Sequence, residues 1–283
     1  MTHPALSAGR AAVVVGAASG IGLAAARAFA GLGMKVCLAD LPGEALDKAA
    51  AEIAGLARSP DAVFAHPTDV SNLEQVEALR DAVYGRFGDV GVLMNNAGIV
   101  AGGGAYDHLD RWRAVMAVNL WGVIHAVHAF TPAILAQGAP AAIINTGSKQ
   151  GITNPPGNIA YNVTKSGVKT LTEGLAHQLR NEAGARVTAH LLIPGFTFTG
   201  MTRGDRTEKP AGAWTPEQVV DLMLETVHRG GFYILCPDND VTRAMDEKRI
   251  RWAADDLILD RPALSRWSEE YKDAFARFMS GED

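Results

Sequence analysis

Tyr161 and Lys165 stand four residues apart, with Ser148 thirteen residues before the tyrosine. On a helix, a spacing of four puts Lys165 one turn beyond Tyr161 on the same face, so an ammonium lies against a phenol. A phenol near pKa 10 is a poor base at neutral pH. A unit positive charge ~5 Å away, at an effective dielectric of ~20, is worth about 3 kcal/mol, or roughly two pKa units. A phenol so activated can exchange a proton with a substrate oxygen, and a serine hydroxyl can hydrogen-bond the same oxygen and fix its position. A Tyr-x-x-x-Lys arises by chance about 0.14 times in a chain of this composition, so the pair gains meaning only in company.

That company is a glycine run. Gly16, Gly20 and Gly22 fall in Gly-Ala-Ala-Ser-Gly-Ile-Gly, directly after an apolar run at 11–15. Such glycines let the backbone turn sharply and approach a pyrophosphate, whose charge is met by N–H groups at the start of the following helix. Ser19 and Ile21 complete the turn and join the candidate cofactor contacts. The spacing is Gly-x-x-x-Gly-x-Gly rather than the Gly-x-Gly-x-x-Gly of other dinucleotide folds. Asp40, followed by Leu41, lies eighteen residues beyond Gly22 at the end of the second strand-like run. There a carboxylate can accept hydrogen bonds from the hydroxyls of an adenosine ribose and repels a 2′-phosphate. Ala17, Ala18, Ser19 and Leu41 supply no cation to attract one. The cofactor expected is NAD, with NADP less favoured.

The elements that must position these groups follow from the hydrophobic pattern. Apolar runs at 11–15, 35–39, 62–65, 90–94, 141–145, 187–193 and 232–235 alternate with helical patterns at 21–32, 43–56, 73–87, 107–137, 159–181 and 216–228. The runs are continuous rather than alternating, as in strands buried on both faces, and strand–helix alternation argues a parallel sheet. The expected fold is α/β: a doubly wound, Rossmann-like parallel sheet of seven strands, with helices on both faces and a C-terminal helical extension. Ligands of such sheets bind beyond the carboxyl ends of the strands. The glycine turn, Asp40, Asp69, Asn95-Asn96-Ala97-Gly98, Ser148 and Pro194-Gly195 each follow or end one of six successive strands, which directs them to one crevice.

A chain of 283 residues, 48% hydrophobic and 20% charged, can bury one large core. One Rossmann-like domain is expected over residues 1–236, with 1–9 as a flexible tail and 237–283 as a helical extension packed on the domain or on a partner subunit. The net charge is −5 with no basic block, so neither nucleic acid nor an anionic membrane is a favoured partner, and a small molecule is. The apolar stretch 11–26 is sixteen residues with three glycines, shorter than the ~20 of a spanning helix, and reads as strand, turn and helix start. Cys37 and Cys236 each sit in an apolar run, which suits buried thiols in the cytoplasm better than a disulfide. His125 and His128 share a helix face with no third ligand nearby, so no metal site is expected.

From the glycine turn through Asp69, Asn95-Asn96-Ala97-Gly98, Asn119, Ser148, Tyr161, Lys165 and Pro194-Gly195, the chain resembles the short-chain dehydrogenase/reductase family over roughly residues 10–235. The resemblance implies a nicotinamide-dependent oxidoreductase that moves hydride between the cofactor and a secondary alcohol or ketone. By that resemblance Tyr161 is the acid/base, Lys165 lowers its pKa, Ser148 orients the substrate oxygen and Asn119 supports a water relay to Lys165. Asp69 and Val70 would contact adenine, Asn96, Ala97 and Gly98 would run beside the adenosine ribose, and Thr197 and Thr199 would hold the nicotinamide end. Two other readings of the same crevice are a non-catalytic dinucleotide sensor and a nucleotide-sugar epimerase or dehydratase. The first predicts loss of the Ser–Tyr–Lys set, and the second a different glycine spacing and a longer substrate domain.

Several positions depart from the family pattern. Val15 stands where Thr is common, and Lys149 and Gln150 follow Ser148 where small residues are common. The usual Asp-Gly-Gly ending is replaced by the extension, which removes one basis for a tetramer. A homodimer through 107–137 and 159–181, or a homotetramer, is expected. Gln150, Ile152, Asn154, Met201 and Trp214 are the candidate substrate residues, mostly apolar, and suggest a substrate with an apolar or aromatic body. The polar stretch 200–213 reads as a lid. Trp267, Tyr271, Phe275 and Phe278, at i, i+4, i+8 and i+11, predict one apolar helix face in the extension.

Overall fold

Among the described residues, 3–281 of a computed structural model, seven parallel strands form one sheet. They are β1 (Ala11–Val15), β2 (Lys35–Asp40), β3 (Val63–Pro67), β4 (Val92–Asn95), β5 (Ala141–Thr146), β6 (Val187–Ile193) and β7 (Tyr233–Leu235), ordered β3-β2-β1-β4-β5-β6-β7. Parallel neighbours need long crossovers. The main ones are α1 (Gly20–Gly31), α2 (Glu44–Leu56), α3 (Leu73–Phe87), α4 (Leu109–Met116) with α5 (Gly122–Ala136), α7 (Ile159–Asn181) and α9 (Pro216–His228). The winding reverses between β1 and β4, which opens a crevice at their carboxyl ends.

Burial on both faces explains the unbroken apolar runs. Ala12 and Val14 of β1 point into a layer with Phe29, Leu46, Ile53 and Met223 from α1, α2 and α9. Their neighbours Ala11, Val13 and Val15 point the other way, toward Val83, Phe130 and Leu179 of α3, α5 and α7. Cys37 and Cys236 are buried free thiols. Local signals set the helix ends. The Asn72 side chain accepts from Glu74 N and Gln75 N to start α3, and Gly88, at φ 82°, ends it. Thr215 and Gln218 form a capping box before α9, with Pro216 in its first turn.

Three expectations change. The helix predicted over 107–137 is α4, a π-turn (Ala117–Trp121) and α5, and the fully buried Asn119 sits inside the wide turn. Leu109–Ala136 is apolar and long enough to cross a bilayer, yet Val123, Ala126, Phe130 and Ile134 lie buried in this fold. The N-terminal segment is not a loose tail from His3 onward. Pro4–Leu6 forms a short 3-10 turn, Ala5 and Leu6 are buried, and His3 N donates to His228 Nδ1 at 3.0 Å. Met1 and Thr2 lie outside the described residues.

In the extension, α10 (Arg243–Ile258) and α11 (Lys272–Ser280) follow β7. The predicted aromatic stripe is not one helix. Ser268, extended at ψ 134°, separates the short turns holding Trp267 and Tyr271, and only Phe275 and Phe278 share α11. Both rings pack on Trp252 of α10 at 5.2 Å, so the stripe's partner is the extension itself.

The extension is fastened to the sheet by charge. Lys149, just past β5, places Nζ 2.7 Å from Asp246 of α10 and 3.3 Å from Asp238, with side-chain exposures of 17%, 6% and 7%. Breaking a buried ion pair by removing one partner leaves uncompensated charge, a cost of about 3–5 kcal/mol. We predict that Lys149→Met loses stability on that scale in denaturant unfolding at neutral pH, and that adding Asp246→Asn recovers part of the loss. A loss within about 0.5 kcal/mol, as for an ordinary surface change, would refute a structural role for the cluster.

Candidate active site

The turn after β1 is built by close backbone approach. Gly16 has φ 81°, and a Cβ there would lie 2.5 Å from Ala97 N. At Gly22 a Cβ would lie 1.9 Å from Gly16 O, so the turn folds back on the start of α1 with no room for a side chain. Asn96 Nδ2 donates to Gly16 O at 3.1 Å and ties the turn to the end of β4. Ser19 caps α1 without a side-chain hydrogen bond, leaving the first N–H groups of the helix to an outside acceptor. A glycine cradle before an open helix N-terminus fits a pyrophosphate.

Asp40 ends β2 beside this turn. Its carboxylate accepts from Ala18 N and from Leu41 N, both at 2.8 Å, which fixes its direction and leaves lone pairs for further donors. Asp69 Oδ1 accepts from Ser71 N at 2.9 Å and Ser71 Oγ at 2.7 Å, closing the loop after β3. Val70 is buried, and its carbonyl meets His125 Nδ1 at 2.9 Å. His128 is exposed, and among the described residues no cluster of three or more His, Cys, Asp or Glu could hold a metal.

At the other end of the crevice lie Ser148, Tyr161 and Lys165. Lys165 is buried, its Nζ donates to Thr146 O at 2.8 Å and lies 5.6 Å from the centre of the Tyr161 ring. Burial pulls the ammonium down to about 8. Burial also pushes the Tyr161 phenol above its ordinary value, and the Ser148 hydroxyl pulls it back in part. The expectation from spacing counts the Coulomb attraction of Lys165 alone, and burial of the phenol, which acts in the opposite direction, lies outside it.

These groups line one cleft of about 470 Å³. Gly16, Ser19, Gly20, Ile21, Asp40, Leu41, Asp69, Val70, Asn96, Ala97 and Gly98 line its cofactor-like end. Ser148, Gln150, Tyr161, Lys165, Pro194, Gly195, Thr197, Thr199 and Met201 line the rest. Gly22 lies behind the turn. Asn119 also stands behind the wall, where its Oδ1 accepts from Ile99 N at 2.7 Å and its Nδ2 donates to Ile99 O at 2.9 Å, stapling the loop after β4.

Ile152, Asn154 and Trp214 do not line the cleft. The one-turn helix α6 (Gln150–Thr153) aims Gln150 into it and turns Ile152, with Asn154 just beyond, into a neighbouring cavity against the extension. Trp214 packs on the core, its backbone bonded to Phe196 and Phe198. The predicted lid holds a short helix, α8 (Gly200–Arg203), and its far end is anchored. Ala213 is buried, and Asn239 Nδ2 donates to Ala211 O at 2.6 Å. Thr146, Lys149, Phe196 and Thr202 line the cleft without having been singled out as site residues. Thr202 had a signal in the Thr-x-x-Thr of a capping box, since its Oγ1 accepts from Thr199 N at 3.0 Å.

Residues 10–210 match the family model described as short chain dehydrogenase. The chain is 34% identical over 264 residues to 1-deoxy-11-beta-hydroxypentalenate dehydrogenase of Streptomyces exfoliatus, covering 91% of this chain and 94% of the relative. A short chain dehydrogenase/reductase from Burkholderia phymatum, solved in complex with NAD, superposes with a TM-score of 0.82 at 35% identity, covering 93% of this chain and 98% of that one. An alcohol dehydrogenase from Thermococcus sibiricus, complexed with 5-hydroxy-NADP, superposes with a TM-score of 0.69 at 28% identity, covering 77% and 90%.

The depressed Lys165 carries a stability signature. Between the folded value of about 8 and the ordinary value near 10.5, the unfolded chain binds a proton that the folded chain does not, so stability rises with pH. Relative to Lys165→Met, the parent protein is expected to gain about 2 kcal/mol between pH 7 and pH 9.5 in denaturant unfolding. Parallel curves for the two proteins would show that Lys165 is not held in a desolvated state.

Proposed function

This chain belongs to the short-chain dehydrogenase family, and from that membership we propose that it is an NAD(H)-dependent oxidoreductase acting on a secondary alcohol or the matching ketone. What carries the proposal is the convergence of Ser148, Tyr161 and Lys165 on the cleft that runs to the glycine cradle and Asp40. A bound nicotinamide supplies the hydride acceptor or donor.

The chain's own residues handle the proton and the orientation. Tyr161 holds a proton at its hydroxyl in the reductive direction and receives one from the substrate hydroxyl in the oxidative direction. Burial makes its phenolate costly, so the ammonium of Lys165 is the charge that offsets this cost. Ser148 hydrogen-bonds the substrate oxygen and keeps it within reach of Tyr161. Asn119, by stapling Ile99, keeps the loop after β4 against Lys165 and supports the proton path. On the substrate side, Gln150, Phe196 and Met201 offer a mixed surface with more apolar than polar character. The relative from S. exfoliatus is named for a hydroxylated substrate, which supports alcohol chemistry.

The preference for NAD rests on Asp40. Its fixed carboxylate stands where a ribose is recognised in this fold, and a 2′-phosphate there would meet like charge. Gly16, Ser19, Gly20 and Ile21 would hold the pyrophosphate, Asp69, Val70, Asn96, Ala97 and Gly98 the adenosine, and Pro194, Gly195, Thr197 and Thr199 the nicotinamide.

Screening secondary alcohols with NAD, and ketones with NADH, tests the activity. Tyr161→Phe is expected to lower kcat/KM by about 10²–10⁴ while NADH binding, read by fluorescence, stays unchanged. Retained turnover would remove Tyr161 from the mechanism. Asp40→Ala is expected to shift the NAD-to-NADP preference by about tenfold or more toward NADP, and an unmoved ratio would sink the assignment.

A further inference from the structure

A second cavity of about 340 Å³ lies between α6 and the C-terminal extension, within the size range of small-molecule sites. It shares no lining residue with the cleft. Ile152, Trp252 and Ala253, with the partly exposed Trp267, make its apolar walls, and Arg249 and Arg266 line it as well.

The two guanidinium groups form no direct ion pair among the described residues, although the charge of Asp246 acts on both from a distance. Asp256 is held by Arg261 at 3.0 Å, and Asp238 and Asp246 share Lys149. Asp260 also lines the cavity but is exposed to solvent. Arg249 Nε is fully buried and donates to no atom among the described residues, so it is packed behind the cavity wall, and Arg249 meets the cavity through the rest of its side chain. Arg266 lies with its Cζ 4.7 Å from the centre of the Trp267 ring and 5.3 Å from that of Phe275. Aromatic neighbours occupy apolar contact area without accepting its N–H bonds in the guanidinium plane. Burial and the charge of Arg249 pull Arg266 down to about 10, so it stays cationic at neutral pH.

We propose that this cavity is a second ligand site that takes a small organic carboxylate, its acid group between Arg249 and Arg266 and its apolar body against Ile152, Trp252 and Trp267. Arginine forks match the two oxygens of a carboxylate, and the apolar walls favour an organic anion over inorganic phosphate. The assignment is independent of the cofactor and the reaction proposed for the cleft, since it rests on a different set of residues.

Calorimetric titration of the 283-residue chain with benzoate tests it, with benzyl alcohol and inorganic phosphate as comparison probes. Saturable one-site binding of benzoate is expected, weakened about ten- to hundredfold by Arg266→Gln or Arg249→Gln, with benzyl alcohol and phosphate much weaker. Arg266→Lys keeps the charge but loses the planar fork, and is expected to weaken binding as well, which covers the case in which a Gln variant does not fold. Tyr161→Phe and saturating NADH should leave benzoate binding intact. The proposal is overturned by no benzoate binding, by binding that the arginine variants do not change, by displacement with NADH, or by phosphate binding as tightly as benzoate.

Discussion

An ammonium buried without a carboxylate partner among the described residues is the constraint around which the cleft is built. Lys165 reaches from α7 to the last carbonyl of β5, donating to Thr146 O and tying the helix to the strand end. Ser148 follows two residues after Thr146, so the strand end that holds the ammonium also delivers the hydroxyl. The same approach leaves α6 no clearance, since a Cβ on Gly151 would lie 2.4 Å from the Lys165 carbonyl carbon. A buried charge in so tight a setting is tolerated at the expense of its own protonation, which is why its pKa falls.

The parts of this architecture set by local chemistry were legible in the sequence. Helices α3, α7 and α9 have the predicted bounds; a side-chain cap starts α3, a capping box starts α9, and a left-handed glycine ends α3. The seven strands were readable because burial on both faces removes polar alternation. The cofactor-like end of the cleft was readable for a related reason. It is shaped by backbone, and backbone that must pass within van der Waals distance of itself leaves a glycine spacing behind.

What was not legible depends on direction and on burial. A one-turn helix such as α6 has no period to read, so the side on which Ile152 and Asn154 lie is set by the extension packed against them. The aromatic spacing after Trp267 satisfied a helical period that Ser268 interrupts, because a period cannot reveal one extended residue. The π-turn at Asn119 is likewise invisible to spacing: its inward side chain is held by Ile99, twenty residues back. Distance along a helix proposes the Tyr161–Lys165 interaction, but the sign of the phenol's shift depends on how much water is removed from both groups.

The two ends of the cleft are held by different kinds of contact. The cofactor-like end is fixed by contacts between neighbouring strand ends, whose geometry the parallel sheet imposes. The opposite end is fixed by Lys149, which joins the Ser148 loop to Asp238 and Asp246 across some ninety residues of chain, while Asp238 Oδ2 also accepts from Phe196 N at 3.2 Å. One lysine thus sets the relative position of the loop bearing Ser148, the loop after β6 and the extension. A change in the extension can therefore reshape the Ser148 end of the cleft through that cluster without touching the glycine turn, whereas the glycine turn is packed against backbone that cannot yield.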